Sequence, residues 1–211
     1  MELILIRHAE PAEPAEPGAI GRSPEDEHDP PLGARGRAQA EAVAARLLAW
    51  PIHRILSSPA RRARETAAPL AAQLGLEPVL EPRLRDVGGT TPAYRSIERD
   101  RREDPARYRA RLAAYRREDG LAAIAGRVNA ALDEWIARHP GERVVAFCHG
   151  SVVNVFAASV LGLADAAFLE AASASVHRFR IARSGLRSVV CLNETAHLGP
   201  LETPLAAAAL R

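Results

Sequence analysis

Short apolar runs alternating with amphipathic stretches constrain this chain more than any other feature. "ELILI" at 2–6 is apolar at every position after Glu2, the pattern of a strand buried on both faces. "HRILS" at 53–57 and "ERVVAFC" at 142–148 read as further strands, and 77–81 as a short one. Between them the spacing turns helical. In "ARGRAQAEAVAARLLAW" the residues Ala40, Val43, Ala44, Leu47 and Leu48 share one face, and Pro51 ends the stretch. "SPARRARETAAPLAAQLG" predicts a helix from Pro59, with Ser58 as its N-cap and Gly75 as its terminator. Helices are also expected over 121–138 and 151–162, and strands near 174–182 and 187–192 joined by a turn at Ser184-Gly185.

This order predicts an α/β fold: a three-layer sandwich with a mostly parallel central sheet, helices on both faces and an antiparallel edge made by the last two strands. The 211 residues fit a single domain over 1–211. Residues 92–120, rich in Arg and acids, read as an exposed helical lid inserted into it. "PAEPAEPGAIGRSPEDEHDPP" at 11–31 reads as a loop, and the Ala-rich tail beyond Pro204 as frayed.

Composition narrows the partners. The apolar share of 47 % supports a sizeable core, and 4 % aromatics means that Leu, Val, Ile and Ala must build it. A net charge of +2 makes no case for nucleic acid, and no apolar run approaches the roughly 20 residues of a membrane span. Cys148 and Cys191 show no metal-type spacing, so a reduced, cytoplasmic protein without a metal is expected. The opening Met-Glu-Leu-Ile-Leu-Ile-Arg has no basic n-region, so no secretory leader is expected. All 28 basic residues are arginines, planar forks suited to phosphate or carboxylate.

In such sheets ligands bind beyond the carboxyl ends of the strands. Arg7-His8 and His149-Gly150 each follow a central strand directly. With "SSPARRARETA" at 57–67 and "RLRD" at 83–86 they make a chemically coherent set. A neutral His is a nucleophile toward phosphorus, Arg forks neutralise phosphoryl oxygens, an acid protonates the leaving alcohol, and a helix beginning after Gly150 adds N–H donors. The alternatives are weaker. Ser151 lacks the G-x-S-x-G of a serine hydrolase elbow. Cys148 reads as a small core residue. Arg61 and Arg64 read as a solvated face, and histidines 28, 53, 139, 177 and 197 as surface or structural groups.

These residues resemble the histidine phosphatase superfamily, in its phosphoglycerate mutase-like branch. Arg7-His8-Ala9 resembles its Arg-His-Gly hallmark, "DPPLGARGRAQA" at 29–40 its D-x-P-L-x-x-x-G-x-x-Q-A stretch, "SSPARRARETA" its S-S-P-L-x-R-A-x-Q-T-A segment, and "FCHGS" its second histidine motif. The likeness runs from residue 1 to about 197 and implies roles. His8 would be the phosphorylated nucleophile, with Arg7, Arg62 and His149 completing the phosphate pocket. The family's acid, usually Glu after an "RL" pair, falls on Asp86, with Glu10 as the alternative proton donor.

The expected function is therefore hydrolysis of a phosphomonoester through a phosphohistidine on His8. No metal and no cofactor would take part, and the partner would be a phosphorylated small molecule. The Nδ1 proton of His8 should be held by a backbone carbonyl so that Nε2 can attack. Mutase-type phosphoryl transfer, or a non-catalytic phosphate-binding module on the same fold, are the other readings. Substrate choice is expected to reside in 9–30 and 88–120. Substrate identity and oligomeric state, a dimer included, stay open.

Overall fold

A computed structural model describes residues 1–13, 28–87, 94–117 and 119–202. Most of the Pro-rich stretch and the Ala-rich tail lie outside the described residues. Six strands, β1 (Glu2–Arg7), β2 (Arg54–Ser57), β3 (Val79–Leu80), β4 (Arg143–Cys148), β5 (Val176–Ile181) and β6 (Arg187–Glu194), form one sheet in the order β3-β2-β4-β1-β5-β6. β1, β2, β3 and β4 pair in parallel, while β5 runs antiparallel to β1 and β6 antiparallel to β5. The predicted mixed sheet with its antiparallel edge is present.

Strand periodicity explains the continuous apolar runs. Leu3 and Leu5 of β1 and Val144, Ala146 and Cys148 of β4 face one layer; Ile4, Ile6, Val145 and Phe147 face the other. The first layer holds α5 (Leu121–Arg138) and α6 (Gly150–Leu161), through Val128, Leu132, Val152 and Phe156. The second holds α1 (Ala34–Leu47) and α2 (Arg61–Leu74), through Val43, Leu47, Ala67 and Leu70. Helices thus cover both faces, as the element order predicts. Gly75 and Gly162, both left-handed, end α2 and α6.

Three local expectations are corrected. The strand at 77–81 is only two residues long, because Val79 and Leu80 are a half-exposed edge. Ser58 does not cap α2. The helix starts at Arg61, and its first N–H group is met by Asp29, whose two carboxylate oxygens accept from the Arg61 amide at 3.0 and 2.8 Å. The charged insert is not simply a solvated face. It forms α3 (Ile97–Glu103) and α4 (Pro105–Tyr115), and Asp100 of α3 is buried at 1 % exposure with Arg95, Arg107 and Arg111 around it at 2.5, 3.4 and 3.1 Å. A carboxylate can be buried there because three guanidinium groups share it.

Candidate active site

The parallel register of β1 and β4 sets Arg7 opposite Cys148, and so brings together the two residues that follow. The His8 amide donates to the Cys148 carbonyl at 2.9 Å, and the His8 and His149 rings stand 5.2 Å apart, 64° from coplanar. Both imidazoles are buried.

Their tautomers follow from their partners. His8 Nδ1 lies 2.9 Å from the Ala9 carbonyl, which can only accept. Nδ1 therefore carries the hydrogen, and Nε2 keeps a lone pair for the cavity that His8 lines. Arg62 Nη2, which can only donate, stands 3.2 Å from His149 Nδ1. His149 thus accepts there and donates from Nε2 to the Ser58 hydroxyl at 2.9 Å. The Ser58 hydroxyl also accepts from the Ala60 amide at 3.3 Å, one residue before α2 begins. Burial, then the charges of Arg62 and Arg7, push both imidazoles well below the ordinary range, so both are neutral at pH 7.

Arg7 ends β1 with its side chain buried. Its Nη1 donates to the Glu98 carboxylate of α3 and to the Ala171 carbonyl, both at 2.5 Å. Burial works against that charge, and the Glu98 carboxylate outweighs it, so the Arg7 pKa rises. Glu98 responds in kind: burial would raise its pKa, and Arg7 brings it below the ordinary range. With both Nη1 hydrogens engaged, Nε and Nη2 remain for a ligand.

Arg62, on the first turn of α2, is 6 % exposed and contacts Asp29 at 3.3 Å as well as His149. Its guanidinium carbon lies 4.6 Å from the centre of the Tyr94 ring. Asp86 holds two contacts on Oδ1, from the Ser151 hydroxyl at 2.5 Å and the Val87 amide at 2.9 Å. Its Oδ2 faces Arg62 and His149 at 3.7 and 3.8 Å.

These groups border a cavity of about 220 Å³ whose floor is Arg7, His8, Asp86, Gly150 and Ser151. Arg62 and His149 sit beside that floor rather than on its surface. A Cβ at Gly150 would meet only ordinary contacts, 3.7 Å from the Arg7 side chain, so its glycine is not forced by crowding from the protein itself. The four sequence-predicted phosphate groups and Asp86 are therefore brought together. Glu10 is not: it pairs with Arg35 at 3.7 Å, and its backbone is pinned elsewhere. Gln39 accepts from the Glu10 amide at 2.9 Å, and a Cβ on Gly36 would come within 1.9 Å of the Glu10 carbonyl. Gly36 and Gln39 of the 29–40 segment thus both meet the Glu10 backbone.

Sequence reasoning missed Glu98, Asp29, Tyr94 and the contact of Ser151 with Asp86. Cys148 is buried, and burial raises its thiol pKa, as suits a core residue. His177 is locked between Ser175 and the Asn193 amide at 2.8 and 3.1 Å. Among the described residues no three His, Cys, Asp or Glu side chains converge as metal ligands. No described helix is long and apolar enough to cross a membrane.

An arrangement of this kind, with two guanidinium groups, a neutral imidazole and a carboxyl group at one cavity floor, suits a tetrahedral anion. The family model for the histidine phosphatase superfamily (branch 1) matches residues 3–195. A relative in Escherichia fergusonii, called a probable phosphoglycerate mutase, is 28 % identical over 169 residues, covering 77 % of this chain and 76 % of its own. A relative with the same description in an Enterobacter species is 29 % identical over 170 residues, with the same two shares. Among solved structures, a mycobacterial glucosyl-3-phosphoglycerate phosphatase in complex with VO3 aligns with a TM-score of 0.72 at 24 % identity, over 92 % of this chain and 99 % of that one. The Bacillus stearothermophilus protein YhfR aligns at 0.73 and 22 % identity, over 93 % and 98 %. These likenesses speak to the fold.

Proposed function

The chain belongs to the histidine phosphatase superfamily (branch 1), and from that premise we propose that it hydrolyses phosphomonoesters through a phosphohistidine on His8. One observation carries the reading: His8 is buried and neutral, and its Nδ1 hydrogen is tied to the Ala9 carbonyl at 2.9 Å. That leaves the Nε2 lone pair facing a floor flanked by two guanidinium groups.

Nε2 attacks phosphorus, and the bond to the leaving oxygen breaks. Arg7, through Nε and Nη2, and Arg62 neutralise the phosphoryl oxygens, and the N-terminus of α6 adds backbone N–H donors. His149 is the neutral neighbour that keeps Arg62 in place. Asp86 delivers the proton to the leaving oxygen from Oδ2, its Oδ1 being held by Ser151. Water then attacks the phosphohistidine while Asp86 takes its proton, and inorganic phosphate leaves. Fixed guanidinium charge takes the role a metal could have, so the reaction needs none. In this reading α3 and α4 form a lid on a single domain. Two free cysteines, Cys148 and Cys191, suit a reducing compartment, the cytoplasm.

The test is turnover of p-nitrophenyl phosphate at pH 5–8, with and without EDTA, together with trapping of a phosphoenzyme by an alkaline denaturing quench, identified by its stability in base and its loss in acid. Turnover that survives the chelator and disappears in His8→Ala is expected. No turnover and no phosphoenzyme would leave only a phosphate-binding module. The description of the Escherichia and Enterobacter relatives favours a second reading, return of the phosphoryl group to another position of a sugar acid. Release of inorganic phosphate from phosphoglycerate, rather than its isomerisation, separates the two.

A further inference from the structure

Past the catalytic floor, the cavity changes character. Its walls come mainly from α3, α4 and the segment before β5, and the side chains that meet there include Tyr94, Tyr108, Tyr115, Ile97, Leu112 and Phe168. Aromatic faces and aliphatic carbon dominate. Two cations also reach this wall, and each already serves a carboxylate. Arg111 donates to Asp100 at 3.1 Å and to the Arg95 carbonyl at 2.8 Å. Arg116 donates to Asp165 at 2.9 Å and to the Ala167 carbonyl at 2.8 Å. A carboxylate stands in the wall as well: Glu170 accepts from the Tyr108 hydroxyl at 3.1 Å and pairs with Arg101.

We propose that the leaving group taken by this site is uncharged and aromatic or bulky apolar, so that the preferred substrates are aryl or hydrophobic alkyl phosphomonoesters. The inference rests on the phosphatase reading above. A leaving group with its own carboxylate or second phosphate would lose its hydration against a wall whose arginines already have partners, beside the Glu170 carboxylate. Arg111 and Arg116 repay that desolvation only in part, because each already serves a carboxylate. An uncharged ring loses only weakly held water and gains aromatic contact with the tyrosines and Phe168.

The experiment compares three substrates with primary-alcohol leaving groups, so that intrinsic reactivity is matched: 2-phenylethyl phosphate, glycerol 1-phosphate and 3-phosphoglycerate. Phosphate release at pH 7 gives kcat/KM for each. The phenylethyl ester should exceed 3-phosphoglycerate by at least about 10-fold, the discrimination expected of one or two methylene-sized apolar contacts, with glycerol 1-phosphate between them. Phe168 is 39 % exposed, so Phe168→Ala should fold. It should raise KM for the phenylethyl ester several-fold more than for glycerol 1-phosphate. If 3-phosphoglycerate is hydrolysed as well as the phenylethyl ester, or the variant loses both substrates equally, the inference falls and the phosphatase reading stands. If neither these esters nor p-nitrophenyl phosphate is hydrolysed, both fall together.

Discussion

Arg7 at the end of the first strand and Glu98 of α3 share one buried ion pair, 2.5 Å long, between residues 91 positions apart. The pair ties the helical insert to the catalytic floor. It also puts a carboxylate beside a guanidinium that the proposed mechanism assigns to phosphate. Glu98→Gln keeps the shape and removes the charge. It leaves Arg7 buried with one partner fewer, so stability should fall by about 3 kcal/mol. The lost carboxylate no longer repels an anion at the floor, so inorganic phosphate should bind more tightly. Thermal unfolding with and without phosphate measures both. A variant that loses stability and also binds phosphate more weakly would assign Glu98 to holding Arg7 in place for the ligand.

Asp86 and Ser151 form a second close pair at the floor, with the hydroxyl donating to Oδ1 at 2.5 Å. In the proposed role of general acid, Asp86 would matter most where the leaving oxygen is basic. Asp86→Asn should lower kcat by about 10²–10⁴ for an alkyl phosphate and far less for p-nitrophenyl phosphate, whose leaving group needs no proton. Ser151→Ala should follow the same leaving-group dependence with a smaller loss. Equal losses on both substrates would make Asp86 an electrostatic neighbour of Arg62 instead.

The parts of this site that the sequence makes legible are those carried by strand ends. A run buried on both faces must stop where polar residues begin, so Arg7-His8 and His149 are marked by the end of β1 and β4. Their mutual placement then follows from parallel pairing. Glu98 and Asp29 carry no such mark, because their roles depend on contacts 91 and 33 residues away. Ser58 shows how local pattern misleads: Ser before Pro is a good cap signal, but the hydroxyl serves His149 and the Ala60 amide, and a distant acid meets the first amide of the helix. The charged insert misleads for the same reason. Spacing reports how polar a helix is, and only tertiary structure reports that Asp100 is buried among three arginines.

Asp29 has two duties, meeting the first amide of α2 and contacting Arg62 at 3.3 Å. Asp29→Ala should cost about 1 kcal/mol of stability from the lost cap. If the Arg62 contact positions the phosphate clamp, KM should rise as well, with kcat little changed. Denaturant unfolding and steady-state kinetics on the same preparation separate the duties. A stability loss with unchanged KM would confine Asp29 to the helix end.

Three buried imidazoles give the fold an acid sensitivity of predictable sign. Burial, followed by Arg62 and Arg7, drives His8 and His149 well below 6.5, and burial with Arg7 brings His177 down to about 3. Above about pH 6.5 these groups are neutral folded or unfolded, and stability should be flat on their account. Below it the unfolded chain takes up protons that the folded chain refuses. Stability should therefore fall with pH, by up to about 1.4 kcal/mol per pH unit for each group, until the folded pKa values are reached. His8 itself stays neutral and nucleophilic over that interval, so activity at pH 5.5 should be limited by the folded fraction rather than by protonation of the nucleophile. Urea midpoints at pH 7.5, 6.5 and 5.5, set beside kcat corrected for folded protein, test this. A midpoint unchanged down to pH 5.5 would mean that these histidines titrate in the fold as they do in the open chain.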